Sequence, residues 1–202
     1  MESTGRTGRS LTRKGEATRE RIVSGAAAEM RIRGVEHTSL DDVRAVTSTS
    51  KSQLFHYFPE GRSQLLLAVA QREADLVIED QMPYLDDLGS WEAWQSWRDL
   101  VVERYRSQGQ ECPLSILLSQ IGRGYPETQS IVVNLMRRWQ GAIATGIRTM
   151  QAKGEVKPAL DADRSAAALL AGIQGGVVVM LATGEITNLE AALDVGIASL
   201  RV

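Results

Sequence analysis

Lys51, Ser52, Gln53 and His56 crowd hydrogen-bonding side chains onto one short predicted helix, Lys51 to about Tyr57. Lysine suits guanine and glutamine suits adenine, while serine serves either, so the set matches base edges in the major groove of DNA. A second set, Thr38, Ser39, Thr49, Tyr57 and Arg62, places hydroxyls and a guanidinium around the same region. Such groups suit phosphate oxygens, contacts that position a protein on a duplex without specifying sequence.

Two short helices must hold these groups. Ser39 can cap the first, with Asp42 three residues on as the acidic partner of a capping box. Leu40, Val43 and Val46 recur at helical spacing, leaving Asp41, Asp42 and Arg44 wet. The polar break Thr47 to Ser50 offers Ser50 as a second N-cap, and Leu54 and Phe58 can pack inward. A longer helix, roughly Glu16 to Arg33, precedes them, with Ile22, Val23, Ala26, Ala27 and Met30 on one face and Gly34 as its stop. Three helices of this layout make a helix-turn-helix, a pattern found in DNA-binding and in purely structural helical proteins alike. Residues 1–15 form a basic arm with no periodicity, in which Arg9, Arg13 and Lys14 are candidates for phosphate contact.

From Ala17 to Ala70 the chain resembles the amino-terminal domain of the TetR family of transcription regulators. The matching stretches are TRERIVSGAAAEMRIRG, TSLDDV and SKSQLFHYFPEGRSQLLLAVA, of which Leu54 to Pro59 is the most specific. One departure stands out: the pattern commonly has glycine after its Ser-Lys pair, where this chain has Ser52 and then Gln53. That difference changes which bases are read. The resemblance also implies a phosphate role for Arg62 and a connecting helix, about Arg62 to Gln81, between reader and sensor.

Composition bounds the alternatives. The chain has 202 residues, 43% of them hydrophobic, long enough for a real core. Residues 1–62 hold 11 Lys/Arg against 8 Asp/Glu, and residues 63–202 hold 12 against 17, so a mildly basic front joins an acidic body. No apolar run is expected to span a membrane, since Gly172, Gln174, Gly175 and Gly176 interrupt the longest, Ala166 to Thr183. Arg6, Arg9, Arg13 and Lys14 have no apolar segment behind them, and Cys112 is the only cysteine, so a cytoplasmic home is expected. Cys112 itself reads as a packing residue rather than a sensor. Two histidines, His37 and His56, and one cysteine do not make a zinc cluster, and neither GxxxxGK[ST] nor GxSxG occurs. No metal, cofactor or catalytic site is expected.

Behind the linking helix, helices are predicted at about Trp91–Ser107, Leu114–Ile121, Glu127–Lys153, Arg164–Thr183 and Leu189–Leu200. Trp91, Trp94 and Trp97 fall at i, i+3 and i+6, which makes either an aromatic ligand wall or a core stripe. Helix faces nominate Trp91, Trp94, Trp97, Tyr105, Leu117, Gln120, Met136, Trp139, Gln140, Ile143, Gln174 and Met180 as lining a pocket for a mainly apolar ligand. The tract from Cys112 to Gly176 loosely resembles the ligand-binding half of the TetR subgroup that includes the LmrA and YxaF regulators. That resemblance implies a homodimer through the last two helices, whose glycines ask for close approach of another helix.

The expected fold is all-α with about nine helices: a flexible arm over 1–15, a homeodomain-like three-helix DNA-binding domain over 16–62, and a ligand-binding and dimerisation domain over 63–202. The expected function is a DNA-binding transcriptional regulator, a repressor released from a palindromic operator by a small ligand. Control by a protein partner, or without any effector, is the alternative.

Overall fold

The computed structural model describes residues 12–109 and 126–201, which form eight α-helices. Among the described residues there is no strand, only an isolated antiparallel bridge between Val156 and Arg201. The all-helical expectation is met. The helix expected at 114–121 lies outside the described residues, together with Cys112, Leu117, Gln120, Arg6 and Arg9.

The chain divides into two compact units, Met1–Val69 and Ala70–Val202, the boundary falling inside one helix. The first unit holds α1 (Arg13–Arg33), α2 (Leu40–Val46) and α3 (Lys51–Tyr57), and α4 (Arg62–Glu79) starts within it. Thr12 caps α1, and the backbone turns out of the helix at Gly34 with φ 86°. Ile22, Val23, Ala26, Ala27 and Met30 of α1 are buried with Val35, Val43, Leu54, Phe58, Leu65, Leu66 and Val69, giving this small unit its own apolar centre. Two short helices would be marginal alone, so burial of Val43 and Leu54 supplies what their length cannot.

The second unit contains a 3-10 turn at Tyr84–Asp86, α5 (Trp91–Gln108), α6 (Pro126–Ala152), α7 (Ala162–Thr183) and α8 (Thr187–Ala198). Ser90 caps α5, and Asp161 caps α7 by accepting from the amides of Asp163 and Arg164. Glycines with positive φ stand where helices stop, Gly154 after α6 and Gly184 after α7. Helix α7 packs against both α6 and α8, and α5 is tied to α8 by Arg98 to Asp194 and Arg106 to Glu190.

The glycines of α7 divide into two kinds. A Cβ at Gly176 would lie 2.5 Å from the Leu189 Cα, and one at Gly172 would lie 3.3 Å from the Ala192 Cβ, so these two admit α8. A Cβ at Gly175 would meet nothing within 4 Å. Around it runs an exposed stripe, Ala168, Ala171, Gly175, Val178 and Ala182, beside Ala191, Val195 and Ala198 of α8. Val178 is 57% and Val195 70% exposed. This stripe also corrects the expectation on membrane length: Ala162–Thr183 is long and apolar enough to cross a bilayer by length and composition, with a mean hydropathy of 1.9, and only 39% of that window is buried.

Candidate functional site

Reciprocal caps build the region around α3. Ser39 Oγ accepts from the Asp42 amide at 3.1 Å while Asp42 Oδ2 accepts from the Ser39 amide at 2.8 Å, the capping box expected from the sequence. The hydrogen bond from the Ser39 hydroxyl, 2.6 Å long, holds the Asp42 carboxyl below its ordinary pKa. Arg33 adds ion pairs to Glu29 and Asp42, each at 3.1 Å, and so joins the end of α1 to the start of α2. A second capping box, not expected, starts α3: Ser50 Oγ accepts from the Gln53 amide, and Gln53 Oε1 accepts from the Ser50 amide, both at 3.1 Å. Ser48 occupies the left-handed region in the turn between the helices, with φ 49°.

With Leu54 and Phe58 fully buried, Lys51, Ser52, Gln53 and His56 are all exposed, so the expected base-edge set lies on one open surface. Gln53 differs from its neighbours. A bidentate adenine contact uses both amide atoms, and here Oε1 is already engaged in starting the helix.

The phosphate candidates separate. Ser39 is exposed, and Tyr57 is half-buried with its ring edge-on to His56 at 4.9 Å between centroids. Thr38 and Thr49 are corrections, being 1% and 4% exposed. The Thr38 hydroxyl donates to the Gly34 carbonyl, and the Thr49 hydroxyl donates to the Thr47 carbonyl while accepting from Thr47. Each hydroxyl is satisfied by backbone or side chain close in sequence, so burial costs little and leaves nothing to offer a phosphate. Arg62 is also re-read: its guanidinium donates to the carbonyls of Thr38 and Val35, tying the first turn of α4 to the loop that leads into α2. Arg13 and Lys14 lie in the first turn of α1 and are exposed.

In the second unit the tryptophans are mostly core. Trp94 and Trp97 are fully buried and edge-on to each other at 5.7 Å. The Trp94 indole donates to the Leu88 carbonyl and that of Trp97 to Gln81 Oε1, both at 3.0 Å. Trp91 is half-buried, donates to Glu155 at 3.0 Å and has the Arg201 guanidinium 4.6 Å from its ring centroid. These three are therefore corrected from ligand wall to packing and surface clasp. Tyr105 borders a cavity of about 20 Å³ with Val77, Asp80, Gln81, Val101, Arg104 and Gln108, room for about one water. A polar groove of about 200 Å³ between Leu85–Gly89 and the Ala142–Thr149 side of α6 contains none of the expected ligand residues.

Two expected residues stand apart. Trp139 is fully buried and, among the described residues, its Nε1 has no hydrogen-bond partner; both amide atoms of Gln174 are buried and equally unpartnered there. They lie on α6 and α7, which pack together; Ile143 and Met180 are buried apolar residues of the same helices. Met136 is half-buried, as is Gln140, which donates to the Asp163 carbonyl at 3.5 Å. An orphaned buried amide costs about 1–3 kcal/mol, so natural cores keep one only for a reason. Gln174→Leu is accordingly expected to raise the unfolding free energy by about 1–2 kcal/mol in denaturant titrations. A loss of stability instead would mean that the amide has a partner after all. Among the described residues no group of three His, Cys, Asp or Glu side chains is placed to hold a metal.

Comparison with known proteins bears on both units. The family described as "Tetracyclin repressor-like, C-terminal domain" matches residues 91–195. An uncharacterized HTH-type transcriptional regulator of Mycobacterium tuberculosis is 41% identical over 51 residues, a stretch that is 25% of this chain and 26% of that one. The match thus spans about a quarter of that relative's length. A TetR transcriptional regulator from Chloroflexus aurantiacus superposes with a TM-score of 0.76 at 27% identity, covering 93% of this chain and 96% of its own. SmeT, the repressor of the Stenotrophomonas maltophilia multidrug efflux pump SmeDEF, shares the fold at 18% identity and a TM-score of 0.71, covering 93% and 92%. With the family matched over more than half of the chain, an exposed α3 face and an all-helical second unit, the chain belongs to the TetR family of transcriptional regulators.

Proposed function

We propose that this protein is a cytoplasmic, homodimeric repressor that leaves a palindromic operator when a small, mainly apolar ligand enters its second unit. In this reading residues 16–62 read DNA and residues 63–202 bind ligand and pair the two copies. The observation that carries it is the open α3 surface of Lys51, Ser52 and His56, whose far side is anchored by Leu54 and Phe58. A rigid helix with its polar face to solvent suits the major groove, where base edges specify sequence. Lys51, Ser52 and His56 are the base-edge residues, Gln53 contributing through its Nε2. Ser39 and Tyr57, with Arg13 and Lys14, are the phosphate contacts.

Dimerisation is supported by the exposed stripe on α7 and α8. Glycine inside a helix costs about 1 kcal/mol against alanine. At Gly175 nothing among the described residues of the same chain needs the space. A second copy approaching about a twofold axis supplies the reason, and it covers Val178 and Val195 as well. We assign the effector to the α6–α7 packing; the unpartnered Trp139 indole N–H and Gln174 amide support this reading, since each suits a hydrogen-bonding group on a mainly apolar ligand. SmeT, of the same fold, forms a complex with triclosan, a precedent for small-molecule occupancy. The ligand half is assigned to the LmrA/YxaF-like subgroup on its sequence pattern, and no catalytic step is required of any residue.

The test is a gel shift across a range of salt on the DNA upstream of the protein's own gene. The wild-type protein is expected to shift one inverted-repeat segment selectively, and Lys51→Ala to weaken that binding about ten-fold or more. Equal affinity for every sequence would remove the reader assignment. An inducing small molecule that left DNA affinity unchanged would remove the effector half, since a ligand shifts an equilibrium only by binding one state better.

A further inference from the structure

Phe55 sits in the middle of the surface just assigned to DNA, yet it has no hydrogen-bonding group. At about 100° per residue, the exposed positions of α3 follow one another around the helix as Lys51, Phe55, Ser52, His56 and Gln53. Phe55 is 40% exposed, while Leu54 beside it and Phe58 beyond it are fully buried. A single exposed hydrophobe is ordinary on a protein surface. This one is flanked on both sides by the groups that reach for base edges. Gly61 turns the chain with φ 66°, and a methyl there would lie 3.5 Å from the Phe55 ring and 3.7 Å from Leu40. The ring therefore lies beside the turn at Gly61.

In the major groove only one base offers an apolar group, the C5-methyl of thymine. We propose that Phe55 is a specificity-determining residue that packs on the 5-methyl of one thymine in each operator half-site, an inference that rests on α3 being the DNA reader. It adds an apolar contact to a helix whose sequence suggested only polar ones. It also gives α3 a route to recognise A·T pairs that does not depend on Gln53, whose Oε1 is committed to Ser50.

The experiment begins with selection from random duplexes by the purified full-length protein, wild type and Phe55→Ala and Phe55→Leu variants. Each thymine of the enriched duplex is then replaced in turn by uracil, which deletes only the methyl group, and affinities are measured. At one thymine per half-site, uracil should weaken wild-type binding about four-fold, the worth of one buried methyl. Phe55→Ala should bind thymine and uracil there equally, and Phe55→Leu should retain part of the preference. Circular dichroism checks that the variants are folded, and Leu supplies the reading should Ala abolish binding. Uracil tolerated everywhere by the wild type, or the same thymine preference in Phe55→Ala, overturns the assignment while leaving α3 as the reader. No enrichment by the wild type would remove that premise, and the inference with it.

Discussion

Gly176→Ala is expected to destabilise the second unit by about 3 kcal/mol, because its new methyl would meet backbone rather than a movable side chain. The added Cβ would lie 2.5 Å from the Leu189 Cα and 2.9 Å from its amide nitrogen, so α8 must move bodily away from α7. The loss should appear as a fall of about 6–12 °C in thermal midpoint, compared at equal protein concentration because dimerisation shifts apparent stability. Gly175→Ala is the control. Nothing within 4 Å opposes its methyl, and alanine favours the helix by about 1 kcal/mol. If alanine at 176 were harmless and alanine at 175 damaging to the isolated chain, the described α7–α8 packing would be wrong.

The second large effect is on assembly. Val178→Glu combined with Val195→Glu is expected to give a folded monomer whose operator affinity is at least about 100-fold weaker. Both valines face solvent in the single chain, so their replacement leaves its core untouched. In a symmetric dimer each charge appears twice, buried against an apolar surface and against its own copy, which a dimer does not tolerate. Losing the second reading helix removes the effective-concentration gain of two linked half-sites, commonly about 10²–10⁴. Sedimentation velocity and DNA titration read the two consequences separately. A double variant that still sediments as a dimer would show that this stripe is not the interface.

Much of the fold was legible because its signals are local. Ser39 with Asp42, Ser50 before Lys51 and Gly34 after α1 act within four residues of themselves, and each lies where it was read. The alternation of Leu54 and Phe58 with Lys51, Ser52 and His56 likewise told which side of α3 is open. What failed was what depends on which partner a side chain finds, near or far along the chain. The spacing of Trp91, Trp94 and Trp97 marks a helix face but does not say whether ligand or protein covers it; Leu88 and Gln81 do. Thr38 and Thr49 read as surface hydroxyls by residue type, whereas a nearby carbonyl lets each be buried. Arg62 likewise found the Val35 and Thr38 carbonyls, acceptors that no motif announces. Gln53 was half legible: its position three residues after Ser50 is the capping-box signal, but its amide suggested adenine first.

The glycines of α7 carry the same lesson. Three glycines within five residues of one helix, Gly172, Gly175 and Gly176, call for a close neighbour, but composition does not say which neighbour each one meets. Gly172 and Gly176 meet α8, and Gly175 is left facing outward. Only the positions of Leu189 and Ala192 separate the intrachain requirement from the one assigned to a second copy.

The most direct test of a symmetric dimer reading a palindrome is the stoichiometry of the DNA complex. Sedimentation of the wild-type protein with a labelled duplex carrying both inverted half-sites should give two chains per duplex, with a single half-site bound at least about 100-fold more weakly. One chain bound equally tightly to either duplex, or no preference for the inverted repeat over unrelated DNA, would contradict it.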